Sequence, residues 1–224
     1  MKGILRTFRT PFLVLALIVL EVVFKFDSRV GFFAYLITFI AGIIFVLVRP
    51  EKLICTLLIL PLIRIVGVAV PLAVDAKLLF ISAVFFMLVI LHVDRFSFSV
   101  PRWKKEIVFV LGSIIGGAFI GLFLSPYVLF QPGIVVIVGL FLAAVAEELY
   151  FRISLLSFQK TLGMLILVSL LYAVVVFDAS FVVSFVGFFF SFFAGFFYLK
   201  YGRAYIPILV HIVLNIFLVL PKFF

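Results

Sequence analysis

The chain has 224 residues, of which 68% are hydrophobic and only 12% charged, and its mean hydropathy is +1.52. A water-soluble core of this length has no use for so much apolar surface, so a soluble domain is excluded and the main solvent is lipid. The net charge of +9 needs no nucleic-acid partner, because basic loops beside anionic lipid are the ordinary state of a membrane protein.

The 33 phenylalanines raise the question of strands, since aromatic-rich barrels also cross membranes. The apolar runs here are apolar on every face, whereas barrel strands alternate in segments of about ten residues. An all-α, polytopic transmembrane bundle of about eight to nine spans is expected. It divides into N-terminal transmembrane helices over 1–132 and a motif-bearing helical core over 133–224, within one membrane domain.

At the N-terminus Lys2, Arg6 and Arg9 precede an apolar stretch from Phe12 to Phe24. No small-x-small cleavage site and polar mature domain follow, so this reads as a retained first span. Glu21 near its end has Lys25 one turn later, a spacing suited to an ion pair. Breaks are expected after Phe26, at Arg49 to Lys52, Asp75 to Lys77, Asp94 to Glu106, Ser125 to Gly133, Lys160 to Gly163, near Asp178, and at Lys200 to Arg203. A cytoplasmic N-terminus puts twelve span-end Lys and Arg residues inside against four outside (Lys25, Arg29, Lys77 and Lys222), the usual basic bias of the inner loops of a multi-pass cell-membrane protein. The single cysteine, Cys55, rules out an internal disulfide.

Arg64 follows Pro61 inside an apolar run. It either satisfies the backbone carbonyl that the proline frees or serves as counter-charge to a buried glutamate on another helix. Further on, Gly112, Gly116, Gly117 and Gly121 make two overlapping small-x-x-x-small faces, a signature of close helix packing.

The densest charge inside a span is Glu147-Glu148-x-x-x-Arg152, preceded by Ala143, Ala144 and Ala146. On a helix Glu148 and Arg152 lie one turn apart and can pair, while Glu147 points about 100° away without an in-helix partner. Glu147 is thus the carboxylate available as a general base or proton carrier. His211 and Asn215 are also one turn apart and can aim at one point in the bundle. At about 1.5 Å per residue, His211 lies ~12 Å in from Arg203 and Glu147 ~20 Å in from Lys160, so the two can meet.

At these residues the chain resembles the CPBP family, the CAAX proteases and bacteriocin-processing proteins. The matching motifs are Glu-Glu-x-x-x-Arg at Glu147, Glu148 and Arg152, and His-x-x-x-Asn at His211 and Asn215, over roughly Gly133 to Leu220. Pro61 with Arg64 looks like a feature of archaeal members. The resemblance implies a hydrolase that performs intramembrane proteolysis. In it Glu147 activates water, His211 and Asn215 donate to the carbonyl oxyanion, and Glu148, Arg152 and Arg64 support the site.

The implied substrate is a peptide or lipidated protein held with membrane lipid as partner, and no cofactor or metal is implied. Two histidines and no His-Glu-x-x-His helix also speak against zinc. The chain departs from the family's second motif, Phe/Tyr-x-x-x-His, where it reads Tyr172-x-x-x-Val176. Valine cannot relay a proton, Asp178 falls about 200° around the helix, and His92 would serve only if its span packs alongside. A straight helix from Lys160 is also expected to carry Val176 to the far side, away from His211. Two alternatives to a protease follow: a catalytically impaired member that binds, scaffolds or confers self-immunity at the membrane, and a proton-coupled transporter using Glu147.

Overall fold

The computed structural model of the chain describes residues 2–70, 80, 82–84, 86–87, 103–128, 134–176 and 180–222. His92 and Asp178, and the breaks expected at Asp75 to Lys77 and over much of Asp94 to Glu106, lie outside them. The described residues are helical, with no strand among them. In chain order the helices are α1 (Lys2–Phe26), α2 (Ser28–Val48), α3 (Lys52–Leu57), α4 (Ile59–Ala69), α5 (Trp103–Leu124) and α6 (Ile134–Glu148). A π-helical turn, Leu149–Leu155, leads from α6 into the short α7 (Leu156–Phe158), and α8 (Leu162–Val175), α9 (Phe181–Tyr201) and α10 (Tyr205–Val219) complete the bundle.

Three helices start where a polar side chain absorbs free backbone N–H groups. Asp27 accepts from the amides of Arg29 at 2.9 Å and Val30 at 3.1 Å and so starts α2. Thr161 and Ser180 do the same for α8 and α9, through Met164 and Val183. Gly202, at φ 65°, closes α9 in a left-handed conformation that a side chain would resist. The break between α3 and α4 at Leu58 lies just after Leu57, whose carbonyl a donor at position 61 would have bonded; Pro61 has no N–H to give.

Five helical stretches, Ser28–Val48, Lys52–Ala69, Val110–Tyr127, Phe181–Tyr201 and Tyr205–Lys222, are long and apolar enough to cross a membrane. The eight or nine spans expected are not reached among the described residues. Part of the shortfall is geometric: α8 has 14 residues, about 21 Å of helix against a hydrocarbon core of about 30 Å.

The bundle carries its apolar residues outward and its charges inward, as a lipid solvent demands. On α9 the outer face is a stripe of Phe181, Phe185, Phe189, Phe193 and Phe196, all exposed. Its inner face is Gly187, Phe190, Ser191, Ala194, Gly195 and Tyr198. The tightest helix pair is α5 with α10. Gly117 and Gly121 sit against the α10 backbone, where a Cβ on Gly117 would lie 2.8 Å from the Val210 carbonyl oxygen and one on Gly121 would collide with that of Leu214. Among the described residues one of the two expected small faces is used, since nothing stands against Gly112 or Gly116. This close approach fixes α10, and with it His211 and Asn215, against the bundle.

One buried ion pair ties the first helix to the rest. Glu21 is fully buried. Arg64 takes both its oxygens, Nε to Oε1 at 2.8 Å and a terminal nitrogen to Oε2 at 2.9 Å. Arg64 is therefore a counter-charge to a buried glutamate on another helix. The same guanidinium donates to the Val175 carbonyl at 3.2 Å, one of the carbonyls left over at the end of α8. It thus joins α1, α4 and α8.

Candidate active site

Glu147 and Glu148 close α6, and Arg152 lies in the π-helical turn that follows. Such turns are rare and gather at functional sites, because the wider backbone re-aims side chains. Glu148 and Arg152 form the expected pair, Oε2 to Nε at 3.1 Å, each 1% exposed. The Arg152 guanidinium also stands over three aromatic rings, 5.1 Å from Tyr172, 5.8 Å from Phe190 and 5.9 Å from Phe151. Those ring faces offer negative quadrupole to a cation whose terminal nitrogens have no hydrogen-bond acceptor among the described residues.

His211 enters from α10 and meets both glutamates. Its Nδ1 lies 2.9 Å from Glu148 Oε1 and its Nε2 lies 3.7 Å from Glu147 Oε2. An ionised carboxylate only accepts, so the Nδ1 contact assigns the ring hydrogen there. With Nδ1 toward Glu148, Nε2 is the ring nitrogen that faces Glu147. Asn215, one turn on, donates from Nδ2 to the Leu140 carbonyl at 3.0 Å.

These groups border a cleft of about 270 Å³ lined by Glu147, Tyr172, Val176, Phe190, His211 and Asn215 among others. Glu148 and Arg152 lie behind it. The two glutamates are therefore unlike: the Glu147 side chain is 26% exposed and that of Glu148 is 1% exposed. Among the described residues no group of three or more His, Cys, Asp or Glu side chains is arranged to hold a metal ion. Of Glu147, Glu148, Arg152 and His211, Glu147 and His211 are the members that border the cleft.

Glu147, Glu148, Arg152, His211 and Asn215 thus come together within one site. Arg64 is centred elsewhere, on Glu21 and the end of α8. Val176 lines the cleft beside Glu147 and His211, contrary to the far-side position expected for it. The reason is that two arms leave the turn at Gln159 to Thr161: Glu147 lies ~20 Å back along one and Val176 ~24 Å along the other, within one helical turn of the same depth. Ile153, Ser154 and Leu155, in the π-helical turn between the arms, are buried.

Two cleft residues carry more than their motif positions implied. Tyr172 lines the cleft together with Glu147, and Phe190 packs its ring 5.0 Å from that of His211. The spacing Tyr172-x-x-x-Val176 placed the tyrosine on the same face as the cleft. Nothing in the spacing of Phe190 separates it from the other phenylalanines of α9.

Residues 129–217 match the family model described as type II CAAX prenyl endopeptidase, Rce1-like. This covers the glutamate pair, the π-helical turn, Tyr172 and Val176, and the His211 and Asn215 helix. No curated protein matches the chain, and no solved structure does either.

Proposed function

With an Rce1-like segment over residues 129–217 carrying every group that borders the cleft's polar end, we propose that the chain is an intramembrane endopeptidase. It would hydrolyse a peptide bond of a membrane-associated or lipidated substrate with water activated by Glu147. The observation that carries this reading is the pairing of a partly exposed Glu147 with His211 Nε2 at 3.7 Å, while Glu148 is held behind the site by Arg152 and His211 Nδ1.

Two acceptors at that separation suit one water molecule, which can donate a hydrogen to each and aim a lone pair at the cleft. As the water oxygen bonds the scissile carbonyl carbon, Glu147 takes its proton and the carbonyl becomes an oxyanion. Asn215 spends one of its two Nδ2 hydrogens on Leu140, and the second can donate to that oxyanion. When the carbon–nitrogen bond breaks, Glu147 returns the proton to the leaving amine, and both products are neutralised without any other reactant. Glu148 holds the His211 tautomer, and Arg152 balances Glu148.

Val176 favours a second reading. An aliphatic side chain fills the cleft position where the family motif has histidine, so a catalytically impaired protein that keeps the site for binding a membrane partner is the alternative. The discriminating experiment uses purified protein in liposomes with prenylated and unlipidated peptides. Product that disappears in Glu147→Gln supports hydrolysis. Tight peptide binding without product, equal in wild type and Glu147→Gln, supports the binding reading.

A further inference from the structure

The geometry points to Ser184 as a positioning residue that holds the last turn of α8 against α9 and so sets the width of the cleft at Val176; its consequence for substrates rests on the hydrolytic reading above. The end of a helix leaves carbonyl groups without an N–H of their own helix, and lipid offers them no donor. Two carbonyls in the last turn of α8 are taken by side chains from other elements. Arg64 donates to that of Val175 at 3.2 Å, and the Ser184 hydroxyl donates to that of Ala173 at 2.7 Å.

The direction of the Ser184 bond separates it from ordinary helical hydroxyls. Inside a helix such a group turns back to a carbonyl three or four residues before it, as Thr38 does to Ala34 and Ser169 to Leu165, each at 2.8 Å. Ser184 lies in the first turn of α9, and its hydroxyl crosses to the neighbouring helix instead. The bond lands between Tyr172 and Val176, which line the cleft, and starts beside Val183, Val186 and Gly187, which line it too. An added Cβ on Gly187 would lie 3.0 Å from the Val176 side chain, so α9 approaches the end of α8 closely here. One hydrogen bond thus ties together two walls of the same cleft. Ser184 acts through the Ala173 carbonyl, which makes it distinct from the groups that touch the reacting atoms.

The test compares Ser184→Ala, which removes the hydroxyl, with Ser184→Thr, which keeps it, in proteoliposomes, on membrane-anchored peptides with alanine or phenylalanine next to the scissile bond. Ser184→Ala is expected to shift the kcat/KM ratio toward phenylalanine by about 2- to 10-fold, the worth of one neutral hydrogen bond, and Ser184→Thr to match wild type. That ratio does not depend on how much protein is folded, so a merely structural loss leaves it unmoved. A second readout needs no cleavage. With Cys55→Ser removing the one native thiol, the thiol of Val176→Cys is expected to react with a small maleimide faster by a similar factor once Ser184→Ala is added. If cleavage depends on Glu147 and either the ratio or the thiol rate is unchanged in Ser184→Ala, or Ser184→Thr shifts them equally, this inference is overturned and the hydrolytic reading stands. If wild type yields no Glu147-dependent product, the hydrolytic reading falls; a faster thiol reaction then still supports the positioning by Ser184, and an unchanged one overturns it.

Discussion

Replacing Arg64 with leucine strands Glu21, a carboxylate at 0% exposure whose two oxygens are both held by that guanidinium at 2.8 and 2.9 Å. Breaking a buried ion pair by removing one partner costs about 3–5 kcal/mol, because the remaining charge stays desolvated. The lost bond to the Val175 carbonyl adds about 1 kcal/mol. For a chain of this length each kcal/mol moves the melting temperature by roughly 2–4 °C, so Arg64→Leu is expected to melt on the order of 10–20 °C below wild type. The assay is heat-step loss of the monodisperse peak of detergent-solubilised protein. The double variant Arg64→Leu with Glu21→Leu removes both charges and is expected to regain most of the loss, since an apolar replacement of a buried pair is often close to neutral. An Arg64→Leu protein melting within a degree or two of wild type, or a double variant melting lower still, would refute the view that this pair is a mutually dependent buried unit.

Glu148→Gln removes the charge opposite Arg152, both 1% exposed, and is expected to lower melting by a similar amount while abolishing cleavage; unchanged melting would show that Arg152 is neutralised elsewhere. Gly121→Leu forces α5 off the α10 backbone and is expected to reduce both melting temperature and cleavage, because α10 carries His211 and Asn215. Gly112→Ala, where nothing among the described residues stands against an added Cβ, is expected to match wild type in both, and a loss there would place an unrecognised contact on that face. Val176→His sets an imidazole on the cleft wall beside Glu147 and is expected to raise kcat. A rate no higher than wild type, in protein that melts normally, would mean that position 176 does not address the reacting water.

The helical membrane class was legible because lipid selects for apolar runs whatever their partners, and the polar site because charge inside such a run must be paired. Glu148 with Arg152 was readable from i,i+4 spacing alone. The contact of Glu21 with Arg64 was not, because Arg64 lies 43 residues along the chain; its planar fork fits both carboxylate oxygens. Hydropathy also cannot distinguish a π-helical turn from an α-helical one, so the re-aimed backbone after Glu148 left no mark on the pattern. The position of Val176 was misjudged for a related reason. The comparison that matters is the depth of the two arms from a shared turn, not the length of one helix. Tyr172 was visible as a motif position, yet its place in the cleft with Glu147 depends on tertiary packing, which no local pattern encodes.

The most direct measurement is the mass spectrum of a membrane-anchored peptide recovered from proteoliposomes incubated in heavy-oxygen water. Wild type is expected to yield a truncated peptide whose new carboxyl terminus carries one heavy oxygen, and Glu147→Gln only the intact peptide. Intact peptide with wild type, or the same truncated product from Glu147→Gln, would contradict a Glu147-activated water at this site.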